Sequence, residues 1–370
     1  MSAQSIVIFL LMLSVLVVLH EYGHFIVARL NGVRVTDFAM GMGPTLLKWT
    51  SPRSGTNYRL NLLPIGGYCQ MKGEDGQSTQ AEQQRQFRKT AADYEPDNFQ
   101  AKTPLQRLAI VVAGPAANFI VALVLLFGGA LAFGVAGEKS TTTIYQLVPG
   151  MAADKAGLRS GDTIVSIDGR PVHDGKTLVD TIHGSIGKRL HLGYTRAGHE
   201  AAVDVTPVAF TIPPHGPTIG RLGFNPLPVS ERVGIAEAWR GTWREFTGVI
   251  AATTGALGAL VTHPSTIAGQ VQGPIGMARV SAQVQQFGPF MFVSLAAMIS
   301  ISLGIFNLLP IPALDGGRGV FILVEMLRGR PVDPEKEALV HVGGFAVLIA
   351  LMLAVSFHDV SAAISGHSAF

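Results

Sequence analysis

Five consecutive residues, His20-Glu21-Tyr22-Gly23-His24, carry the most specific chemistry in the chain. On a helix, residues four apart share a face, so His20 and His24 can present two imidazoles to one zinc ion. Glu21 lies beside them, where its carboxylate can take a proton from a water activated by that ion. This is the arrangement of a zinc peptidase. Its setting is unusual, because Ser5–Leu19 carries no charge and Phe25-Ile26-Val27-Ala28 resumes the apolar character after the motif. Ionisable side chains at membrane depth are costly and are generally kept for function. A histidine pair merely tolerated on a bundle-facing surface is the plainer alternative.

A catalytic zinc site commonly has three protein ligands and one open position. The third ligand is expected from a distant span at matching depth. Asn307-Leu308-Leu309-Pro310-Ile311-Pro312-Ala313-Leu314-Asp315-Gly316-Gly317 offers it: two prolines break the helix and the Asp315 carboxylate opens the next element.

The elements that must position these residues are membrane spans. Charged residues make up 14% of the 370, hydrophobic residues 48%, and the mean hydropathy is +0.36. Soluble proteins carry about a quarter charged residues. The composition therefore implies a polytopic α-helical membrane protein with a soluble part. A net charge of +3 without a basic block argues against a nucleic-acid partner. The single cysteine, Cys69, excludes an internal disulfide and a cysteine zinc cluster, and reads as a small apolar residue. The first apolar segment lacks a basic leader and reads as a retained span rather than a cleaved signal.

Four segments, 5–29, 108–136, 287–309 and 338–357, are long and apolar enough to cross a bilayer. The second helix proper is expected to start near Pro115. The uncharged, Gly- and Thr-rich stretch 246–261, following Trp239 and Trp243, reads as a surface-lying or amphipathic segment. The chain then divides into an N-terminal membrane domain 1–136, an extracytoplasmic β-rich domain 141–228, a membrane-surface connector 229–286 and a C-terminal membrane domain 287–370.

Arg34, Lys48, Arg53, Arg59, Lys72, Arg85, Arg88, Lys89 and Lys102 lie between the first two spans, and Arg318, Arg328, Arg330 and Lys336 between the last two. The positive-inside rule places both loops in the cytoplasm, and the N-terminus and 137–286 outside. His20 then lies ~22 Å into its span, towards the cytoplasmic face, at 1.5 Å per residue. If 246–261 does not cross, the third span runs in the same sense as the first and Asp315 arrives at that face.

Within the external segment, Ile164–Val172 alternates and contains the Asp168-Gly169 turn, a helix is expected at Thr177–His183, and Leu190–Tyr194 forms another strand. The run from Val148-Pro149-Gly150 through Gly161-Asp162 to these strands resembles a bacterial PDZ domain, a fold that binds peptides by adding a strand to a sheet edge. A spacer that shields the membrane site without binding a peptide fits the same pattern. Between the first two spans, Asn61–Met71 is apolar around Gly66-Gly67. It is expected to form a hairpin dipping into a membrane-level cavity, where Gly67 and Tyr68 could meet an unwound substrate strand. An ordinary cytoplasmic hairpin is the alternative. Gln77–Arg88 reads as a flexible solvated insert.

Most of the chain resembles the site-2 protease family of intramembrane zinc metallopeptidases, in its bacterial regulator-of-sigma-E-protease branch. The likeness rests on His20-Glu21-Tyr22-Gly23-His24, Gly41-Met42-Gly43-Pro44, Gly66-Gly67-Tyr68, Phe99-x-x-Lys102 with Arg107, Ala113-Gly114-Pro115-x-x-Asn118-Phe119, the PDZ-like run, Gly273-Pro274-Ile275-Gly276 and Asn307–Gly317. The resemblance implies zinc held by His20, His24 and Asp315, with Glu21 activating water and Asn307 steadying substrate or a developing oxyanion. It also implies residence in the bacterial inner membrane and cleavage of transmembrane segments of single-span proteins, anti-sigma factors or signal-peptide remnants among them. Two departures stand out: there is room for one PDZ-like domain rather than two, and Arg318 stands where many members have histidine. His173, His183, His191, His199 and His341 read as surface or packing residues. The competing readings are a PDZ-bearing scaffold or chaperone without activity and, more remotely, a metal transporter.

Overall fold

The structure, a computed structural model, describes residues 3–74, 94–148, 150–211, 217–262 and 274–364. The expected insert Gln77–Arg88, Pro149 of the PDZ-like run and Gly273 lie outside the described residues.

Helix α1 covers Ala3–Leu30. It stops where Gly32 adopts a φ of +68°, the Gly32 and Val33 N–H groups donating back to the Arg29 and Ala28 carbonyls. Two strands follow, β1 (Val35–Thr50) and β2 (Asn57–Met71). They form more than a simple hairpin. Residues 35–40 of β1 pair with 67–71 of β2 on one side and with 57–60 on the other, while 45–50 fold back onto 57–61. The fold-back occurs at Gly41, whose φ is +81° and where any side chain would collide with the Leu63 carbonyl. The hairpin lies along α1. The Ser14 hydroxyl donates to the Pro64 carbonyl, and Phe25 of α1 meets Phe38 and Tyr58 at ring separations of 5.3 and 6.2 Å.

Helix α2 runs from Pro104 to Phe133. The expected start near Pro115 is therefore corrected: Pro115 lies inside the helix. Thr103 and Gln106 close a reciprocal capping box that fixes the earlier start, an arrangement worth about 1 kcal/mol. The helix tolerates the proline because neighbouring helices pack around it.

A β-rich unit then extends from β3 (Val135–Leu147) through a short α3 (Ala152–Lys155), β4 (Thr163–Ile167), β5 (Arg170–Pro171), α4 (Gly175–His183), β6 (Leu190–Arg196), β7 (His199–Val205), β8 (Val208–Thr211) and β9 (Thr218–Arg221) to β10 (Phe224–Glu231). The main sheet has the order β10-β3-β4-β6-β7, with β5 beside β4. Asp168 and Gly169, at φ +48° and +77°, make the two-residue turn between β4 and β5. Ile144, Ile164, Leu178 and Leu192 are fully buried between the sheet and α4. Asp162, also buried, receives two 2.7 Å hydrogen bonds from the Arg196 guanidinium and holds it charged.

Helix α5 spans Ile235–Thr262, α6 Pro274–Gln285, α7 Pro289–Leu308, α8 Asp315–Arg328 and α9 Pro334–Ile364. Among the described residues, α1, α2, α7 and α9 are long and apolar enough to cross a membrane. The stretch 246–261 is amphipathic, with one apolar stripe packed and most other positions exposed. It is the second half of α5, packed lengthwise on α2 and α7. Trp239 meets Phe127 and Phe246 meets Phe119, at ring separations of 5.6 and 6.1 Å, so α5 runs antiparallel to α2. The stripe Phe246, Val249, Ile250, Leu257 supplies the contact, and the many Gly and Thr residues dilute it in the sequence.

Helices α1 and α2 cross closely. A Cβ at Gly23 would overlap the Ala113 carbonyl and lie 2.7 Å from Ala117 Cβ, so only glycine permits this approach. Gly23→Val is expected to destabilise the bundle by about 1–3 kcal/mol, read as a lower melting temperature in detergent. Gly128→Val, on a part of α2 with open space around it, should melt near wild type.

Candidate metal centre

His20 and His24 lie one turn apart on α1 and are both buried. Their imidazoles are turned by α2, where Ile110, Gly114 and Asn118 recur every four residues along one face. His24 Nδ1 donates to the Ile110 carbonyl at 2.8 Å, and His20 Nδ1 lies 3.0 Å from the Asn118 side-chain amide. Between them Gly114 leaves room for the rings; a Cβ there would overlap His24 Nε2. Asn118 is itself pinned, because the Ser300 hydroxyl of α7 donates to its backbone carbonyl at 2.8 Å.

Asp315 comes from the other side of the bundle. Ser300 and Gly304 of α7 face Asn118 and Phe119, while Val293 faces Gly129, so α7 is antiparallel to α2 and parallel to α1. The chain leaving α7 thus emerges at the end of the bundle where His24 lies. Residues 309–314 make the turn, with Ala313 at a φ of +75°, a strained conformation costing roughly 1–3 kcal/mol. Helix α8 then opens on Asp315, whose carboxylate gains from the positive end of the helix dipole. Three contacts hold α8 in place. Gly317 packs on the Ile311 carbonyl with no space for a side chain, Arg107 of α2 pairs with Glu325 at 2.5 Å, and Arg318 pairs with Glu74 at the end of β2.

Three ligand atoms converge as a result. His20 Nε2 and His24 Nε2 are 3.2 Å apart, and Asp315 Oδ2 stands 3.1 and 3.3 Å from them. Ligands ~2.0–2.1 Å from a tetrahedral zinc ion stand roughly 3.3 Å from one another. The spacing fits. The chemistry of the donor set fits as well. Since His24 Nδ1–H donates to Ile110, neutral His24 presents a bare lone pair at Nε2, facing a carboxylate oxygen that is buried without a hydrogen-bond partner. Two lone pairs at that distance repel unless a cation lies between them. For His20 to act likewise, its Nδ1 must carry the proton, which requires the Asn118 amide oxygen on that side.

A cavity of about 260 Å³ opens beside this cluster, lined by His20, Asp315, Glu21, Asn118, Asn307, Val17 and Leu303 among others. Asn307 therefore shares the cavity with two of the three candidate ligands, but Gly67 and Tyr68 do not line it. Gly67 borders the site from behind Glu21: a Cβ on it would lie 3.7 Å from Glu21 Cγ. Tyr68 is half-buried in β2, opposite Ala39. His173, His191 and His199 are exposed on the β-rich unit, whereas His341 is half-buried and accepts a hydrogen bond from the Ala313 backbone. Reading the sequence missed Ile110, Gly114 and Asn118 as neighbours of the histidines. The one signal that could have found them is their four-residue spacing, which matches that of the motif. Asn118→Ala is expected to weaken zinc binding by about 10–100-fold without changing the melting of the β-rich unit, measured by competition with a fluorescent chelator.

Residues 8–351 match peptidase family M50. The chain is 31% identical to the zinc metalloprotease RasP of Geobacillus kaustophilus, over 97% of this chain and 98% of that one. It is 30% identical to RasP of Bacillus licheniformis, over 96% and 99%. Among solved structures, the PDZ domain of an SdrC-like protein from Listeria monocytogenes is similar to 24% of this chain and 85% of its own, at 19% identity and a TM-score of 0.19. With its match to the family over nearly its full length and relatives that are zinc metalloproteases, the chain belongs to peptidase family M50 and is a zinc metalloendopeptidase of the site-2 protease type.

Proposed function

We propose that this protein cuts peptide bonds within transmembrane segments of single-span membrane proteins, such as anti-sigma factors or signal-peptide remnants, in the bacterial cytoplasmic membrane. One observation carries the reading: His20, His24 and Asp315 offer three ligand atoms to one point between the helices, with Glu21 lining the adjoining cavity. Both basic connections leave the same end of the bundle, in keeping with a cytoplasmic location for them and an external one for the β-rich unit.

A bound zinc ion supplies Lewis acidity, lowering the pKa of water to about 7 and polarising the scissile carbonyl. Glu21 takes the proton of the attacking water and passes it to the leaving amide nitrogen. Asn307 faces the same cavity and can donate its side-chain N–H to the oxygen on which negative charge develops. The burial of the histidines supports both steps, because hydrogen bonds and charges act more strongly away from water.

A substrate helix must unwind before it can react, since its carbonyls are engaged by N–H groups four residues on. Residues 67–71 form an outer segment of the β1–β2 sheet, and Gly67 lies against Glu21. That edge offers backbone partners to an unwound strand, in the manner of strand addition. A peptide ligand for the β-rich unit belongs to the same proposal, as a means of admitting substrates.

Purified protein is expected to hold about one zinc ion per chain, lost or sharply weakened in both His24→Ala and Asp315→Ala; loss in the first variant alone would remove Asp315 from the ligand set. Glu21→Gln should keep the metal while losing at least about 10²-fold in turnover, and near-normal turnover would exclude it as the base. Replacing helix-breaking residues of a transmembrane substrate by Leu is expected to slow cleavage. Equal rates for the two substrates would count against unwinding.

A further inference from the structure

The segment that delivers Asp315 packs on the glycines that open α8 but makes few hydrogen bonds of its own. Between α7 and α8, Pro310 and Pro312 donate no hydrogen bonds, and Ala313 stands in a left-handed conformation that a side chain disfavours. Inside the segment, Ile311 N–H donates to the Leu309 carbonyl at 2.7 Å and Leu314 N–H to the Ile311 carbonyl at 3.2 Å. The Ala313 N–H goes elsewhere. It donates across to His341 Nδ1 of α9, at 2.9 Å.

That contact is one of a pair. One turn further along α9, Gly344 lies against Pro312, and a Cβ there would overlap Pro312 Cβ and come within 2.9 Å of its carbonyl oxygen. Helix α9 thus grips the two residues immediately before Leu314-Asp315, with an acceptor on one and a close backbone approach on the other. The imidazole is held in turn by the Phe321 ring of α8, at 5.5 Å between centroids. Because Nδ1 accepts, the ring proton sits on Nε2, which points towards Glu337 at 3.9 Å. Elsewhere on α9, Val342, Phe345 and Val347 are exposed.

We propose that His341 is a positioning residue for the metal centre: by accepting the Ala313 N–H it holds the strained turn that aims the Asp315 carboxylate at His20 and His24. The inference rests on Asp315 being the third metal ligand. His341 touches neither metal ligands nor substrate cavity. It acts through two residues of backbone.

Zinc affinity of the full-length protein in detergent, measured by chelator competition, tests this. Asp315→Ala serves as the reference and Phe345→Leu as the control on the exposed face. His341→Leu, which keeps bulk but removes the acceptor, is expected to weaken zinc binding about tenfold. His341→Asn, whose Oδ1 stands near the position of Nδ1, should stay within about threefold of wild type, and Gly344→Val should match His341→Leu without altering the imidazole. Should His341→Leu fail to yield folded protein, His341→Gln replaces it, because its oxygen lies one bond too far and should also lose affinity. Wild-type affinity in the acceptor-free variant, or equal loss in His341→Asn, would overturn the inference. If Asp315→Ala also binds zinc normally, the ligand assignment fails and the inference with it; a loss in Asp315→Ala alone overturns only the role of His341.

Discussion

Two imidazole nitrogens and a carboxylate oxygen, each offering a lone pair, face one another 3.1 to 3.3 Å apart inside a bundle of apolar helices. Without a cation between them, lone pairs so close together repel one another. Much of the architecture answers that constraint. The α2 stripe of Ile110, Gly114 and Asn118 orients both rings and the Ile110 carbonyl sets the tautomer of His24, while Ser300 holds Asn118. From the far side, the Pro-broken turn and the glycine-rich start of α8 bring a carboxylate to the same point.

The forces that hold this arrangement are small individually. An interhelical hydrogen bond such as that from Ser300 contributes only about 0.6 kcal/mol in a membrane. Specificity comes instead from close approach. Gly23, Gly114, Gly317 and Gly344 each face backbone or ring atoms that a side chain would displace, so the helices have one register in which they fit. Two ion pairs with limited exposure, Arg107–Glu325 and Arg318–Glu74, then set α8 against α2 and β2. Breaking one partner of such a pair is costlier than the pair is stabilising, which makes them devices of orientation.

The same geometry explains how chemistry and substrate entry can share one small site. Glu21 lies between the cavity and the β1–β2 hairpin, with Gly67 at its back. A larger residue at 67 would press on the Ala39 carbonyl before it reached the carboxylate. The hairpin can therefore approach Glu21 closely without filling the cavity on its other side.

Local features of this protein were legible from the sequence. The four-residue spacing of His20 and His24, the four long apolar segments, the Asp168-Gly169 turn and the helix ending at His183 all depend on neighbours within a turn or two, so the chain states them directly. Asp315 was legible as well, because a proline-broken segment followed by a buried-side carboxylate is an unusual local pattern. Tertiary structure decided the rest. Pro115 sits inside α2 because a capping box at Thr103 starts the helix earlier and neighbouring helices pack around the proline, and 246–261 packs on α2 and α7 because four apolar side chains outweigh its Gly and Thr content. Asn118 and His341 looked like any buried amide and any surface histidine, since their meaning lies in partners 98 and 28 residues away. The neighbours of either partner do not state hydrogen bonds across such separations, and only the close crossing of helices brings the groups within reach.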